Sequence, residues 1–145
     1  MSYGVRLTDH DVSIPREKLG EALECLKRLA LEGRTYGASY SGILQWLALT
    51  TAMPEDSFRG VLRVWGYTWT AGTSAVRLED RVRSDWGDDR ALWYALSPVI
   101  SPGSVLEWRG EDENMWRYSF SADGLREESA EIVWTDMGDS PCGPA

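Results

Sequence analysis

The chain has 145 residues, 43% hydrophobic and 26% charged, a composition that excludes collagen-like and largely disordered classes and fits one globular domain. Such a length buries about two thirds of the unfolded surface without needing disulfides or metals. The formal net charge of −8 is uneven, with nine acids and two bases in residues 111 to 139 against 14 acids and 13 bases in residues 1 to 110, and it argues against direct nucleic-acid binding, which needs Lys and Arg to neutralise phosphates.

The longest apolar stretch, Ile43 to Leu49, is interrupted by Gln45 and falls short of the roughly 20 apolar residues of a membrane helix. No membrane contact is expected. The opening Met-Ser-Tyr-Gly-Val-Arg has no apolar signal core, so a cytoplasmic protein is expected. Cys25 and Cys142 are too few for a disulfide framework or a zinc site. Arg outnumbers Lys 13 to two, a bias typical of GC-rich genomes.

In chain order, alternation at Tyr3, Val5 and Leu7 predicts a short half-buried strand. Ser13-Ile14-Pro15 then reads as a helix start, with Leu19, Ala22, Leu23, Leu26, Leu29 and Ala30 as its apolar stripe and Gly33 as its stop. Residues 34–42 lack periodicity and read as a loop, a candidate mobile segment, and Ile43–Leu49 fits a buried strand or a buried helix equally. Pro54-Glu55-Asp56 opens a second helix whose stripe is Phe58, Val61, Leu62 and Trp65, ending at Gly66.

Tyr67–Thr70 and Ser74–Arg83 read as two strands around a turn at Ala71-Gly72-Thr73. In the second, Val76, Leu78 and Val82 point inward with Asp80 as an exception, and Arg77, Glu79, Arg81 and Arg83 point to water. Asp88 or Asp89 caps a short helix carrying Leu92, Trp93 and Leu96, ended by Ser97-Pro98. Pro102 to Phe120 is a hairpin around the acidic turn Glu111-Asp112-Glu113, with Leu106 and Trp108 facing Trp116, Tyr118 and Phe120. Ala122-Asp123-Gly124 supplies a further hairpin turn, Ile132-Val133-Trp134 a final strand, and Met137–Ala145 a loose tail.

These elements predict an α+β domain over residues 1–136, an antiparallel sheet of about five strands with two or three helices on one face, and a flexible tail over 137–145. Most of the eight Trp are explained by core and cross-strand packing. Trp86 is the exception: with Asp85, Gly87, Asp88 and Asp89 around it in a loop, it is a candidate binding hot spot.

The Met-Ser-Tyr opening, the Ile-Pro-plus-helix segment from Pro15 to Ala30, and above all Pro102 to Asp112 followed by Trp116-Arg117-Tyr118 resemble small uncharacterised proteins of actinobacteriophages and their hosts. The resemblance covers about a third of the chain in two islands and includes no active-site signature. In that pattern Gly follows Glu-Asp; here Glu113-Asn114-Met115 fills that place, which leaves the turn type open. The resemblance implies a phage or prophage accessory protein and no particular reaction.

No residue is assigned a catalytic or metal-binding role, and no cofactor is expected. His10, the one His, lies between Asp9 and Asp11, where turn formation outweighs general-base chemistry. Cys25 reads as a half-buried, inert thiol. The acidic stretches 85–89 and 111–113 lack calcium-loop spacing, and the glycines form no phosphate-binding loop. Arg77, Arg81 and Arg83 read as a salt-bridged outer face, with phosphate binding as the competing role.

The function these readings suggest is non-enzymatic: an accessory protein that binds a host protein with a basic surface, as a host-takeover or anti-defence inhibitor. Glu111, Asp112, Glu113, Trp86, Asp88 and Asp89 are the candidate contact residues, with carboxylates steering association and aromatics anchoring it. Two alternatives stay open: a small-ligand or nucleotide binder, including a hydrolase, with Tyr36–Ser41 as a lid; and a minor virion or assembly component.

Overall fold

A computed structural model describes residues 4–32, 53–81 and 89–138. The predicted elements over 34–42 and 43–49, and the loop carrying Trp86 and Asp88, lie outside the described residues. Among those described, seven strands form two antiparallel sheets and three α-helices pack against them, giving the expected α+β class. The strands are β1 (Val5–Asp11), β2 (Ser13–Pro15), β3 (Tyr67–Ala71), β4 (Ala75–Arg81), β5 (Val105–Gly110), β6 (Met115–Ser121) and β7 (Gly124–Ser129). The helices are α1 (Leu19–Leu31), α2 (Pro54–Val64) and α3 (Arg90–Leu96).

One sheet runs β1-β5-β6-β7 and the other β2-β4-β3. They meet where the chain passes from β1 to β2. The Val12 N–H turns back to the His10 carbonyl at 2.9 Å, while the Val12 carbonyl accepts from Leu78 N–H of β4, also at 2.9 Å. One continuous stretch of chain thus pairs with β5 along its first part and with β4 along its last.

Ser13-Ile14-Pro15 is therefore strand rather than helix start. Ile14 pairs with Val76 and is fully buried, a 3-10 turn spans Arg16–Lys18, and α1 begins at Leu19 without a side-chain cap. Ser and Pro are compatible with both roles; the buried place beside β4 decides between them. The helix stripe is as expected, with Leu19, Ala22, Leu26, Leu29 and Ala30 buried. In α2, Pro54 starts the first turn with Glu55 and Asp56, and Gly66 just past the end has φ 93, in the left-handed region that suits glycine.

Two bulges reset which side chains face inward. In β1 the pairing with β5 shifts between Leu7 and Asp9, so Thr8 is the extra residue. Val5 and Leu7 turn inward before it, Val12 and Ile14 after it. In β4, Asp80 pairs with Thr68 and Leu78 with Trp69, leaving Glu79 as the extra residue. A single inserted residue reverses the alternation. Asp80 is thereby exposed and Arg81 buried at 8% relative exposure, which corrects the expectation that Arg81 points to water.

One core joins both sheets. Trp93 of α3 lies 5.2 Å from Tyr67, 6.5 Å from Trp69 and 6.4 Å from Phe120, so a single indole touches β3 and β6. Phe58 of α2 meets Trp69 edge-on at 5.0 Å. The β5–β6 register matches the alternation, with Leu106 opposite Tyr118 and Trp108 opposite Trp116.

The final strand is not where β propensity puts it. A two-residue turn at Ala122-Asp123 sets β7 against β6, pairing Phe120 with Leu125 and Trp116 with Ser129. The last ladder bond runs from Ala130 N–H to the Met115 carbonyl, where β6 begins. Ile132-Val133-Trp134 therefore falls beyond the end of its neighbour and is exposed, irregular backbone.

Candidate functional site

Burial of Arg81 by the β4 bulge creates a polar cluster inside the core. Tyr67 Oη donates to Asp89 Oδ2 at 2.6 Å, Arg81 Nε lies 3.8 Å from the same oxygen, and the guanidinium sits 5.8 Å from the Tyr67 ring centroid. Burial first, and then the Asp89 charge, hold the Tyr67 hydroxyl well above its ordinary value. Asp89 stands at the N-terminus of α3, but its carboxylate makes no capping bond. Asp89 is only 7% exposed and so is no part of an acidic contact surface; the cluster binds β3, β4 and α3 to one another.

The acidic turn is also occupied by local work. Glu113 N–H reaches the Gly110 carbonyl at 3.0 Å and Gly110 N–H the Asn114 carbonyl at 2.8 Å, closing a three-residue hairpin loop. Glu113 has φ 69, the one described non-glycine residue with a positive φ. Asp112 accepts from Asn114, and Glu113 lies 3.6 Å from Arg109 Nε. Glu111, Asp112 and Glu113 are all exposed.

Elsewhere, residues of β1 and β4 line an open groove of about 340 Å³ that includes Asp9, His10, Asp11 and Arg77. Asp9 and Asp11 are exposed and His10 half-buried; strand alternation sends His10 away from its two neighbours, so the three side chains do not converge. Arg77 lies 3.7 Å from Asp11, an exposed ion pair. The Cys25 thiol is pushed up by burial and then by Glu21, which disfavours the nucleophilic thiolate. Among the described residues no group of three His, Cys, Asp or Glu side chains could hold a metal ion, and no helix is long and apolar enough to cross a membrane.

The feature sequence reasoning missed is the segment after β7. Ile132, Val133, Trp134 and Met137 are 81%, 69%, 92% and 89% exposed, whereas Trp65, Trp69 and Trp93 are essentially inaccessible. Glu131 and Asp136 flank Ile132, Val133 and Trp134, with Met137 just beyond, and Asp136 Oδ1 accepts from Gly138 N–H at 2.9 Å in a closing turn. The preceding acids are already paired: Glu127 with Arg90 and Tyr94, Glu128 with Arg117 and Ser119. The signal that could have found this arm was the turn at Ala122-Asp123: counted back from it, a β7 matched to a β6 that begins at Met115 ends at Ala130, and residues past it have no strand neighbour among the described residues.

No protein-family model, curated protein or solved structure matches the chain.

Proposed function

We propose that the chain is a non-enzymatic binding protein that engages a basic protein surface through its C-terminal arm, residues 131–138. The observation that carries this reading is the consecutive exposure of Ile132, Val133 and Trp134, with Met137 close behind, on a domain whose other described Trp side chains are buried or half-buried. Isolated exposed apolar residues are ordinary, but a contiguous set containing Trp marks an interaction site. Trp is enriched among the residues that dominate binding energy.

The acids divide the work with the apolar anchors. Glu131 and Asp136 flank them, and the surplus over residues 111–139 gives this part of the chain a negative field. Such a field speeds encounter with a basic partner and repels an acidic one. In this reading Glu111, Asp112 and Glu113 steer, and Trp134 anchors. The actinobacteriophage resemblance supplies the setting: a host protein as the target, and inhibition of that protein in host takeover or anti-defence as the consequence.

The test is affinity capture from actinobacterial lysate at low and high salt. Wild type is compared with Trp134→Ala and with a Glu111→Ala, Asp112→Ala, Glu113→Ala triple variant. A basic protein held by wild type at low salt, lost with Trp134→Ala and weakened in the triple variant and by salt, supports the reading. Equal retention by wild type and Trp134→Ala contradicts it.

A further inference from the structure

We infer that, when no target is bound, the arms of two copies pair antiparallel about a two-fold axis at Ile132, each seating its Trp134 indole in a groove at the base of the other arm. This goes beyond the proposed function and does not depend on it; the two share only the arm.

The arm is strand-forming chain without a strand partner among the described residues. Beyond the bond from Ala130 to Met115, no described residue makes a backbone hydrogen bond to residues 131–137, although Ile, Val, Trp and Thr follow one another there. Exposed backbone of this kind is a template for pairing with another chain. A receptor lies at its base: a groove of about 150 Å³ bordered by Glu107, Met115, Arg117, Glu128 and Ala130. By strand alternation Met115, Arg117, Glu128 and Ala130 share one sheet face, opposite the Trp116 ring, so an indole seated there meets the Met115 thioether and the Arg117 guanidinium.

The arm does not fill its own groove, and its sequence explains why. Trp134 stands only four residues beyond Ala130, and returning the indole would require a chain reversal within Glu131-Ile132-Val133. That tripeptide has no Gly, Pro, Asn or Asp, and its two β-branched residues favour extended backbone. Extended, the arm carries Trp134 about 14 Å from Ala130 at the usual strand rise.

Pairing about Ile132 turns that distance into a fit. In an antiparallel ladder centred on residue 132, residue 134 of one copy lies opposite residue 130 of the other. The small Ala130 then faces the indole at the edge of the groove. Ile132 and Trp134 share one strand face, so both apolar side chains are covered together. Each copy gives one arm and one groove, so the assembly closes at two. Two indoles, two grooves and the paired arms bury on the order of 1,000 Å², near the lower bound for a specific interface.

Charge sets a distinctive signature. Pairing sets Asp136 of each copy opposite Glu128 of the other and brings the two Glu131 side chains diagonally near the axis, so added salt strengthens the dimer. Salt weakens capture of a basic partner, so the two associations respond in opposite directions.

The experiment is sedimentation of the full chain across a concentration series at low and high salt, with a cysteine cross-linking arm in a Cys142→Ser background. A monomer–dimer equilibrium that tightens with salt is expected, with the dissociation constant raised roughly thirty-fold or more by Trp134→Ala. Ile132→Cys, on the axis, forms an interchain disulfide on oxidation; Met137→Cys, five residues from it on each arm, does not. A monomer at every concentration and salt, a dimer indifferent to Trp134→Ala, or equal cross-linking at 132 and 137 would overturn the inference. Failure here leaves low-salt capture of a basic protein untouched, so the two readings fall separately.

Discussion

Tyr67 donates its hydroxyl to Asp89 Oδ2 at 2.6 Å, fastening the first residue of β3 to the N-terminus of α3 inside the core. The acceptor is a carboxylate held 3.8 Å from Arg81 Nε, so one oxygen serves two partners. Removing the donor leaves a buried charge less well compensated. Tyr67→Phe is expected to lower stability by about 1.5–3 kcal/mol, the range for a hydrogen bond to a charged group. Asp89→Ala is expected to cost more, about 3–5 kcal/mol, because it leaves the Arg81 guanidinium buried without that carboxylate. Urea unfolding of both variants and of the double variant gives the coupling.

The same bond predicts an alkaline limit. Burial and the Asp89 charge hold the Tyr67 hydroxyl above its ordinary value in the folded state, whereas in the unfolded chain it ionises near pH ~10. The stabilisation it brings is therefore complete below pH ~10 and is lost as pH rises toward the folded value, because unfolding then releases a proton. Tyrosinate absorbance followed against pH should show one residue silent until the domain unfolds. Tyr67→Phe should lack that component and lose less of its remaining stability between neutral and alkaline pH.

A gain is expected at the acidic turn. Glu113 holds φ 69, which costs an L side chain about 1–2 kcal/mol, and its ion pair with Arg109 is exposed and weak. Glu113→Gly removes the strain but adds unfolded-state entropy of about 0.5–1 kcal/mol. The expected balance is a stabilisation of about 0.5–1 kcal/mol, read as a higher denaturant midpoint with unchanged slope.

The arm should contribute nothing to folding. Trp134→Ala is expected to change stability by less than about 0.5 kcal/mol, as at an ordinary surface position. Trp93→Ala, at the junction of both sheets, is expected to cost about 3–5 kcal/mol. Thermal unfolding of the pair separates the displayed Trp from the structural one.

Much of the framework was legible because local pattern and tertiary place agree. The alternation of Leu106 and Trp108 against Trp116, Tyr118 and Phe120 is the register found, and the Pro54 to Gly66 helix has its expected start and stop. Arg81 was misread because strand parity was carried through Glu79, the bulged residue; Asp80, which broke the inward pattern, was the local sign of that bulge. The last strand was misread for a different reason. Arg126-Glu127-Glu128 has weak β propensity but lies beside β6, whereas Ile132-Val133-Trp134 has strong propensity and no strand neighbour among the described residues. Of the candidate site, the acidic bias was readable from sequence, but the exposed arm depends on where β6 begins.

The most direct test of the arm as the binding element is site-specific photo-cross-linking in actinobacterial cells, with benzoylphenylalanine in place of Trp134. A cross-linked product with one basic host protein is expected, in addition to any self-dimer, and is absent when the probe is placed at buried Trp69. A product with itself alone, or none above the Trp69 control, would contradict the binding role of the arm.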